Sequence, residues 1–155
     1  MTGRNYRQIK VKCLTADNGL NKTIPLTENN LFQVTHMPKN VLVVDDSRMS
    51  RMMINTIIKT HYPDWTIIDA ASGEEALKKS KGQSIDLMTL DMNMPGMDGI
   101  TLGIELRKNF PDADIALVTA NIQSAVQEKA AAANFIFVSK PITEDRILDF
   151  IKSTE

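Results

Sequence analysis

The stretch Ile85-Asp-Leu-Met-Thr-Leu90-Asp91-Met-Asn93-Met-Pro-Gly-Met-Asp98-Gly99 passes from an apolar run to an acid and then into a Pro-Gly turn. A short apolar run bounded by turn residues reads as a buried strand, so Asp91 is expected at a strand's carboxyl end. The same pattern recurs along the chain. Val41-Leu-Val-Val44 runs into Asp45-Asp46, Ile115-Ala-Leu-Val118 into Thr119-Ala120, and Phe135-Ile-Phe-Val138 is followed by Ser139, Lys140 and Pro141. Strands that are almost wholly apolar, rather than alternating, belong to a parallel sheet covered on both faces.

Helical patterns separate these runs. After Ser47, Met49, Met53 and Ile57 recur at i+4 with Ile54 and Ile58 beside them, and His61-Tyr-Pro63 stops the pattern. Thr66–Ala70 reads as a further strand. Ser72 is placed to cap a short helix whose first turn is acidic, a favourable place for negative charge. Gly99 to Lys108 forms a helix that Pro111 ends, and Asp98 before Gly99 reads as its cap rather than as a ligand. Residues 122–133 are rich in alanine, and Asn134 is suited to a left-handed helix end. Thr143 caps a last helix through about Lys152. Five strands, each followed by a helix, predict an α/β fold: a doubly wound, five-stranded parallel sheet with helices on both faces. Ligands of such sheets sit beyond the strands' carboxyl ends. Asp45, Asp46, Asp91, Thr119 and Lys140 are all expected there, on one rim.

Residues 1–38 stand outside this alternation and are expected to form an N-terminal extension; the α/β domain is placed at residues 39–155. Within the extension, Ile9–Leu14 alternates like an exposed strand, Asp17-Asn-Gly19 signals a turn, and Thr23–Leu26 and Leu31–Val34 are further strand candidates. Too few apolar residues are present for a core of its own. Packing on the domain, pairing with another chain and disorder are all open to it.

Composition narrows the function classes. The 155 residues carry a net charge of −1 and 43% hydrophobic residues. Residues 1–38 hold five Lys/Arg against two Asp/Glu, and residues 39–155 thirteen against seventeen. No basic stripe stands out, so nucleic acid is not an expected partner. A single cysteine, Cys13, excludes an intrachain disulfide framework and fits a reducing compartment. No apolar run approaches the roughly 18 residues needed to span a bilayer, and no signal-peptide pattern opens the chain. A cytoplasmic protein without a membrane role is expected. The nine methionines, dense at Met49–Met53 and Met88–Met97, are expected mainly in core and turn packing.

Residues 39–155 resemble the receiver domain of two-component response regulators, and most nearly the single-domain chemotaxis type. The acidic pair Asp45-Asp46, the Asp91-x-Asn-Met-Pro-x-Met-Asp-Gly99 turn, Thr119-Ala120 and Lys140-Pro141 carry the resemblance. It implies the flavodoxin-like strand order 2-1-3-4-5 known for that family. It also implies that Asp91 is a phosphoacceptor taking a phosphoryl group from the phosphohistidine of a sensor histidine kinase or histidine phosphotransfer protein. A carboxylate and a phosphoryl group repel, so a bridging Mg²⁺ is implied, held by Asp46, Asp91 and the backbone carbonyl of Asn93, with Asp45 acting through a coordinated water. Lys140 and Thr119 would meet the phosphoryl oxygens. Thr119 and the aromatic Phe137 would form the switch, and the output face would comprise helix 4, strand 5 and helix 5. Asn93 and Asn121 hold the two positions that influence acyl-phosphate lifetime in the family.

Each residue also has a plainer role. Asp45 could cap the helix near Ser47, Lys140 could be a solvated lysine, Thr119 a strand threonine, Phe137 a core residue, and Asp91 a turn starter. Five such accidents along four apolar runs are what the receiver assignment removes. A stand-alone signalling module acting by protein–protein contact is the function expected, in chemotaxis or as a phosphorelay intermediate, and not an enzyme acting on other substrates. An aspartyl-phosphate phosphatase is the alternative from another class. It needs a second acid two residues after the nucleophile, where Asn93 stands and cannot exchange a proton.

Overall fold

The structure is a computed structural model that describes residues 37–121 and 123–155. The strands expected within residues 9–34, and Ile122 at the expected start of the fourth helix, lie outside the described residues. Five strands and five helices alternate: β1 (Asn40–Val44), α1 (Arg48–His61), β2 (Thr66–Ala70), α2 (Gly73–Lys79), β3 (Leu87–Asp91), α3 (Gly99–Arg107), β4 (Asp114–Thr119), α4 (Ser124–Ala132), β5 (Ile136–Ser139) and α5 (Glu144–Lys152). All pairings are parallel and the order is β2-β1-β3-β4-β5. The chain reverses direction across the sheet after β2, so β1 and β3 flank the crevice where such folds place their chemistry.

Alternation along each strand sorts the core into two layers. Leu42, Val44, Met88, Leu90, Ile115 and Leu117 pack with Ala76, Leu102, Leu106, Val126 and Ala130, on the side of α2, α3 and α4. Val41, Val43, Leu87, Ala116, Val118 and Val138 pack with Ile54, Ile58, Ile147, Phe150 and Ile151, on the side of α1 and α5. Fully burying each isoleucine or leucine contributes about 1.5–3 kcal/mol.

Helix ends follow the local chemistry. Ser47, Ser72, Asp98 and Thr143 accept from the backbone amides three residues on, capping α1, α2, α3 and α5. Asn134 adopts φ +56°, while the amides of Asn134 and Phe135 donate back to Ala131 and Ala130, closing α4 in a Schellman motif.

Three expectations shift. Ile85 is buried but precedes β3, which starts at Leu87. At that point Asp86 spends its groups on neighbouring strand starts: its amide donates to Asn40 O and its carbonyl accepts from Asp114 N. The fourth helix begins at Ser124, and its N-cap, Gln123, makes no side-chain capping bond. The methionines of α1 are not core residues: Met49 is 73% exposed and Met52 and Met53 also face solvent. Isoleucines 54 and 58 set the buried face. At 100° per residue Met53 lies about 100° and Met49 about 140° from Ile54, off that face.

Candidate functional site

The three acids meet at the carboxyl ends of β1 and β3. One carboxylate oxygen from each of Asp45, Asp46 and Asp91 lies within 4.8 Å of the other two. Asp91 is the last residue of β3 and is 4% exposed; Asp45, just past β1, is 1% exposed; Asp46 faces solvent. Lys140 reaches the same point from the end of β5, its Nζ 2.8 Å from Asp91 Oδ1 and 3.1 Å from Asp45 Oδ2. Three carboxylates against one ammonium leave a net negative, all-oxygen cluster. That donor set fits a hard divalent cation.

The charges leave their mark on proton affinity. Burial raises the Asp91 carboxyl above its ordinary value, and the fields of Asp45 and Asp46 add to this, outweighing the hydrogen bond from Lys140. Burial opposes the charge on Lys140, yet its hydrogen bonds to Asp91 and Asp45 prevail, and its pKa is raised. Both effects describe one ammonium holding together carboxylates that repel each other.

Backbone bonds and close packing set these groups in place. Asp45 Oδ1 accepts from Ser47 N at 2.8 Å, so the acid braces the turn before α1 while Ser47 itself caps the helix. Lys140 N donates to Thr119 O at 2.8 Å, tying the end of β5 to β4. Beyond Asp91 the chain turns through Pro95 and Gly96, the latter at φ +85°, and returns so that Gly99 N donates to Met92 O. A Cβ on Gly99 would lie 2.4 Å from the Asp91 carbonyl oxygen, so only glycine lets α3 start there.

Thr119 ends β4 fully buried, and its Oγ1 accepts from Asn121 N at 3.0 Å. Two residues apart on β4, its side chain shares the sheet face of Leu117, the register partner of Phe137. Phe137 is half-buried and packs against the core layer on the α2–α4 side. Asn93 lies exposed in the turn two residues after Asp91. Among the candidates, the structure therefore gathers Asp45, Asp46, Asp91 and Lys140 into one cluster, sets Thr119 at the end of the neighbouring strand, and leaves Phe137 on the sheet face below Thr119.

Two arginines went unnoticed in the sequence. Arg51 Nη1 donates to Asp45 O at 2.8 Å and to Asp46 O at 3.5 Å, while its Nε is anchored on Asp69 at 3.2 Å. Arg146 Nη1 donates to Ser139 O at 3.1 Å and to Pro141 O at 2.7 Å, clamping both sides of Lys140. Each stands six residues after a site residue, in the first turn of the following helix. A cation opposes the helix dipole there, and that local mismatch is the signal that could have exposed both.

The comparisons with known proteins agree with this geometry. Residues 41–152 match the family model described as the response regulator receiver domain. The chain is 36% identical over 119 residues to the chemotaxis protein CheY of Bacillus subtilis, an alignment covering 76% of this chain and 98% of that one. It is 37% identical over 115 residues to CheY of Thermotoga maritima, covering 73% and 94%. A solved complex of CheX and CheY with BeF3 and magnesium from Borrelia burgdorferi contains a chain superposing at a TM-score of 0.69, 32% identical, with 76% of this chain and 89% of that one covered. No helix among the described residues is long and apolar enough to cross a membrane. With its acids and lysine on the strand ends of a 2-1-3-4-5 sheet, this chain belongs to the response regulator receiver family of two-component signalling.

Proposed function

We propose that residues 39–155 form a receiver that accepts a phosphoryl group on Asp91 from a phosphohistidine, in a magnesium-dependent reaction, and signals through a change in protein–protein contacts. Residues 1–38 are then an extension to that module. The observation that carries this is the convergence of two buried acids, one exposed acid and one lysine from three strand ends. Nothing in core packing calls for such a cluster, and burial together with the neighbouring acids raises the proton affinity of Asp91.

Asp46, Asp91 and the Asn93 carbonyl would hold Mg²⁺, with Asp45 acting through water, and the ion would supply neutralisation of the negative charge that opposes attack. A carboxylate oxygen of Asp91 attacks phosphorus as the P–N bond to the imidazole breaks. The bond's electron pair leaves on the ring nitrogen, and an acyl phosphate results. Lys140, freed from Asp91 Oδ1, donates to a phosphoryl oxygen, and the Thr119 hydroxyl turns from Asn121 N to donate to another. Arg51 and Arg146 hold the loops on either side. Withdrawal of Thr119 vacates space on the sheet face it shares with Phe137. That ring, lacking a hydroxyl, moves inward under hydrophobic burial alone and shifts a pre-existing equilibrium of the α4, β5 and α5 face.

The names of the relatives favour chemotaxis as the pathway. A histidine kinase or phosphotransfer protein would be the donor, a target protein on the output face the receiver of the signal, and the cytoplasm the compartment. As a phosphoacceptor the protein catalyses only its own phosphorylation and dephosphorylation. Incubation with a small phosphodonor and Mg²⁺, read by intact mass, tests this. One phosphoryl group is expected, lost with EDTA and in Asp91→Asn. An adduct on another residue, or one insensitive to EDTA, would exclude it.

A further inference from the structure

Away from the acids, an open groove of about 610 Å³ runs between α3 and α4. Ile100 and Ile104 of α3 and Phe135, just before β5, give it an apolar floor. Ile104 is 51% exposed, a large apolar side chain left uncovered. The Phe135 ring is fixed, because it packs so closely on Gly103 that a Cβ there would lie 2.6 Å from it. The opposite wall is low, formed by Ala132 and Ala133, which lets an incoming backbone approach closely.

The rim is cationic. Arg107, Lys108 and Lys129 line the groove and no carboxylate does. Lys108 is paired with Glu105. Arg107 stacks over the Phe135 ring at 5.4 Å and donates to the carbonyl of Asn134, while Lys129 forms no ion pair among the described residues. Two cations without a carboxylate partner therefore flank an apolar floor.

We propose that this groove docks an amphipathic helix of a partner protein whose apolar stripe is bordered by carboxylates. A small-molecule site buries roughly 70–90% of its ligand, which an open trough does not. Helices of nine residues, such as α3 and α4, run about 13 Å. That length receives apolar anchors at i, i+4 and i+7 of a docked helix. The unpaired cations select acidic flanks and exclude basic ones. The site is separate from the strand-end cluster; it shares α4 with the proposed output face but lies on that helix's α3 side, and it holds whether or not Asp91 is phosphorylated.

The test is titration of a synthetic peptide of roughly five helical turns, with leucines at those spacings and glutamates beside them, into ¹⁵N-labelled full-length protein. Amide shifts are expected to concentrate at residues 100–108 and 129–136. Ile104→Asp should weaken binding by about tenfold or more through lost apolar burial. Lys129→Glu should weaken it by about fivefold, and so should replacing the peptide's glutamates by glutamine. Both side chains are exposed, so the variants keep the fold. Shifts mapping to another face would overturn the proposal, as would affinity indifferent to both charge changes, or no binding at millimolar peptide. Saturable binding of decanoate in the groove without peptide binding, or self-association through α3 and α4, would overturn it equally.

Discussion

Replacing Asp91 by asparagine should make the metal-free protein more stable while abolishing its proposed chemistry. The Asp91 carboxylate lies at most 4.8 Å from those of Asp45 and Asp46, and each contact repels by about 3.5 kcal/mol at an effective dielectric of about 20. Lys140 at 2.8 Å returns about 6 kcal/mol on the same scale. The balance is repulsive by about 1 kcal/mol, and desolvation of a carboxylate that is 4% exposed adds about 1–2 kcal/mol more after relaxation. Asparagine keeps the volume and an oxygen for Lys140 but buries an amide that costs up to about 1 kcal/mol, so a gain of about 1–3 kcal/mol is expected. At roughly 4 °C per kcal/mol for a domain of this size, thermal unfolding in EDTA should show the variant melting about 4–12 °C higher. Because the Asp91 pKa is raised in the fold, its ionisation costs folding free energy above that pKa. The cost disappears as pH falls below the unfolded value, so the variant's advantage should shrink on acidification. At Mg²⁺ tenfold above its dissociation constant the native protein should recover about 1.4 kcal/mol, and the variant, short of a ligand, much less. An asparagine variant less stable than the parent in EDTA, or a gap untouched by Mg²⁺, would refute the electrostatics.

Four further outcomes follow from the same cluster. Lys140→Ala strips two buried carboxylates of their counter-charge and should lower stability in EDTA by about 2–4 kcal/mol, while Mg²⁺ titration shows equal or tighter binding; weaker binding would contradict a competing role for the ammonium. Arg51→Ala releases the carbonyls of Asp45 and Asp46 and should weaken Mg²⁺ by about tenfold with the circular-dichroism spectrum unchanged. Arg51→Lys should restore part of that loss. Gly99→Ala drives a Cβ against the Asp91 carbonyl and should cost about 1–3 kcal/mol in denaturant unfolding, together with slower phosphorylation from a small donor. Mg²⁺ affinity should fall as pH drops through the raised Asp91 pKa, approaching about tenfold per unit, with the slope absent in Asp91→Asn. The Lys140 contribution, from a pKa also raised, persists through neutral pH and is lost only in strong alkali.

Much of this was legible because strand ends in a parallel sheet leave local traces. An apolar run that stops at Asp45 or Asp91 locates both a strand and a site residue. Asp98 and Asn134 show their roles through their own preferences for a cap and a left-handed turn. Methionines 49 and 53 misled because periodicity weighs every apolar side chain alike. Packing instead selected the isoleucines whose branched side chains meet the sheet. The start of α4 was illegible for want of a capping side chain. Arg51 and Arg146 were hidden because they bond to carbonyl groups, which every residue has, so no pairing of residue types announces the contact.

A folded chain selected for stability alone would gain from a neutral residue at position 91, since the carboxylate there is buried and repelled by its neighbours, and only one ammonium offsets this. The scaffold around it holds the arrangement rigidly: parallel strands on both sides of β3, a glycine that seats α3 against the Asp91 carbonyl, and arginines bracing the loops of Asp45 and Lys140. Of the three acids only Asp46 meets solvent, so a hydrated cation would reach the cluster there first. Lys140 stands between the two buried acids in the meantime. Repulsion maintained by so much supporting structure is the expected signature of a group kept reactive, because the same excess of negative charge that weakens the metal-free fold would draw a divalent cation to the carboxylate proposed to attack.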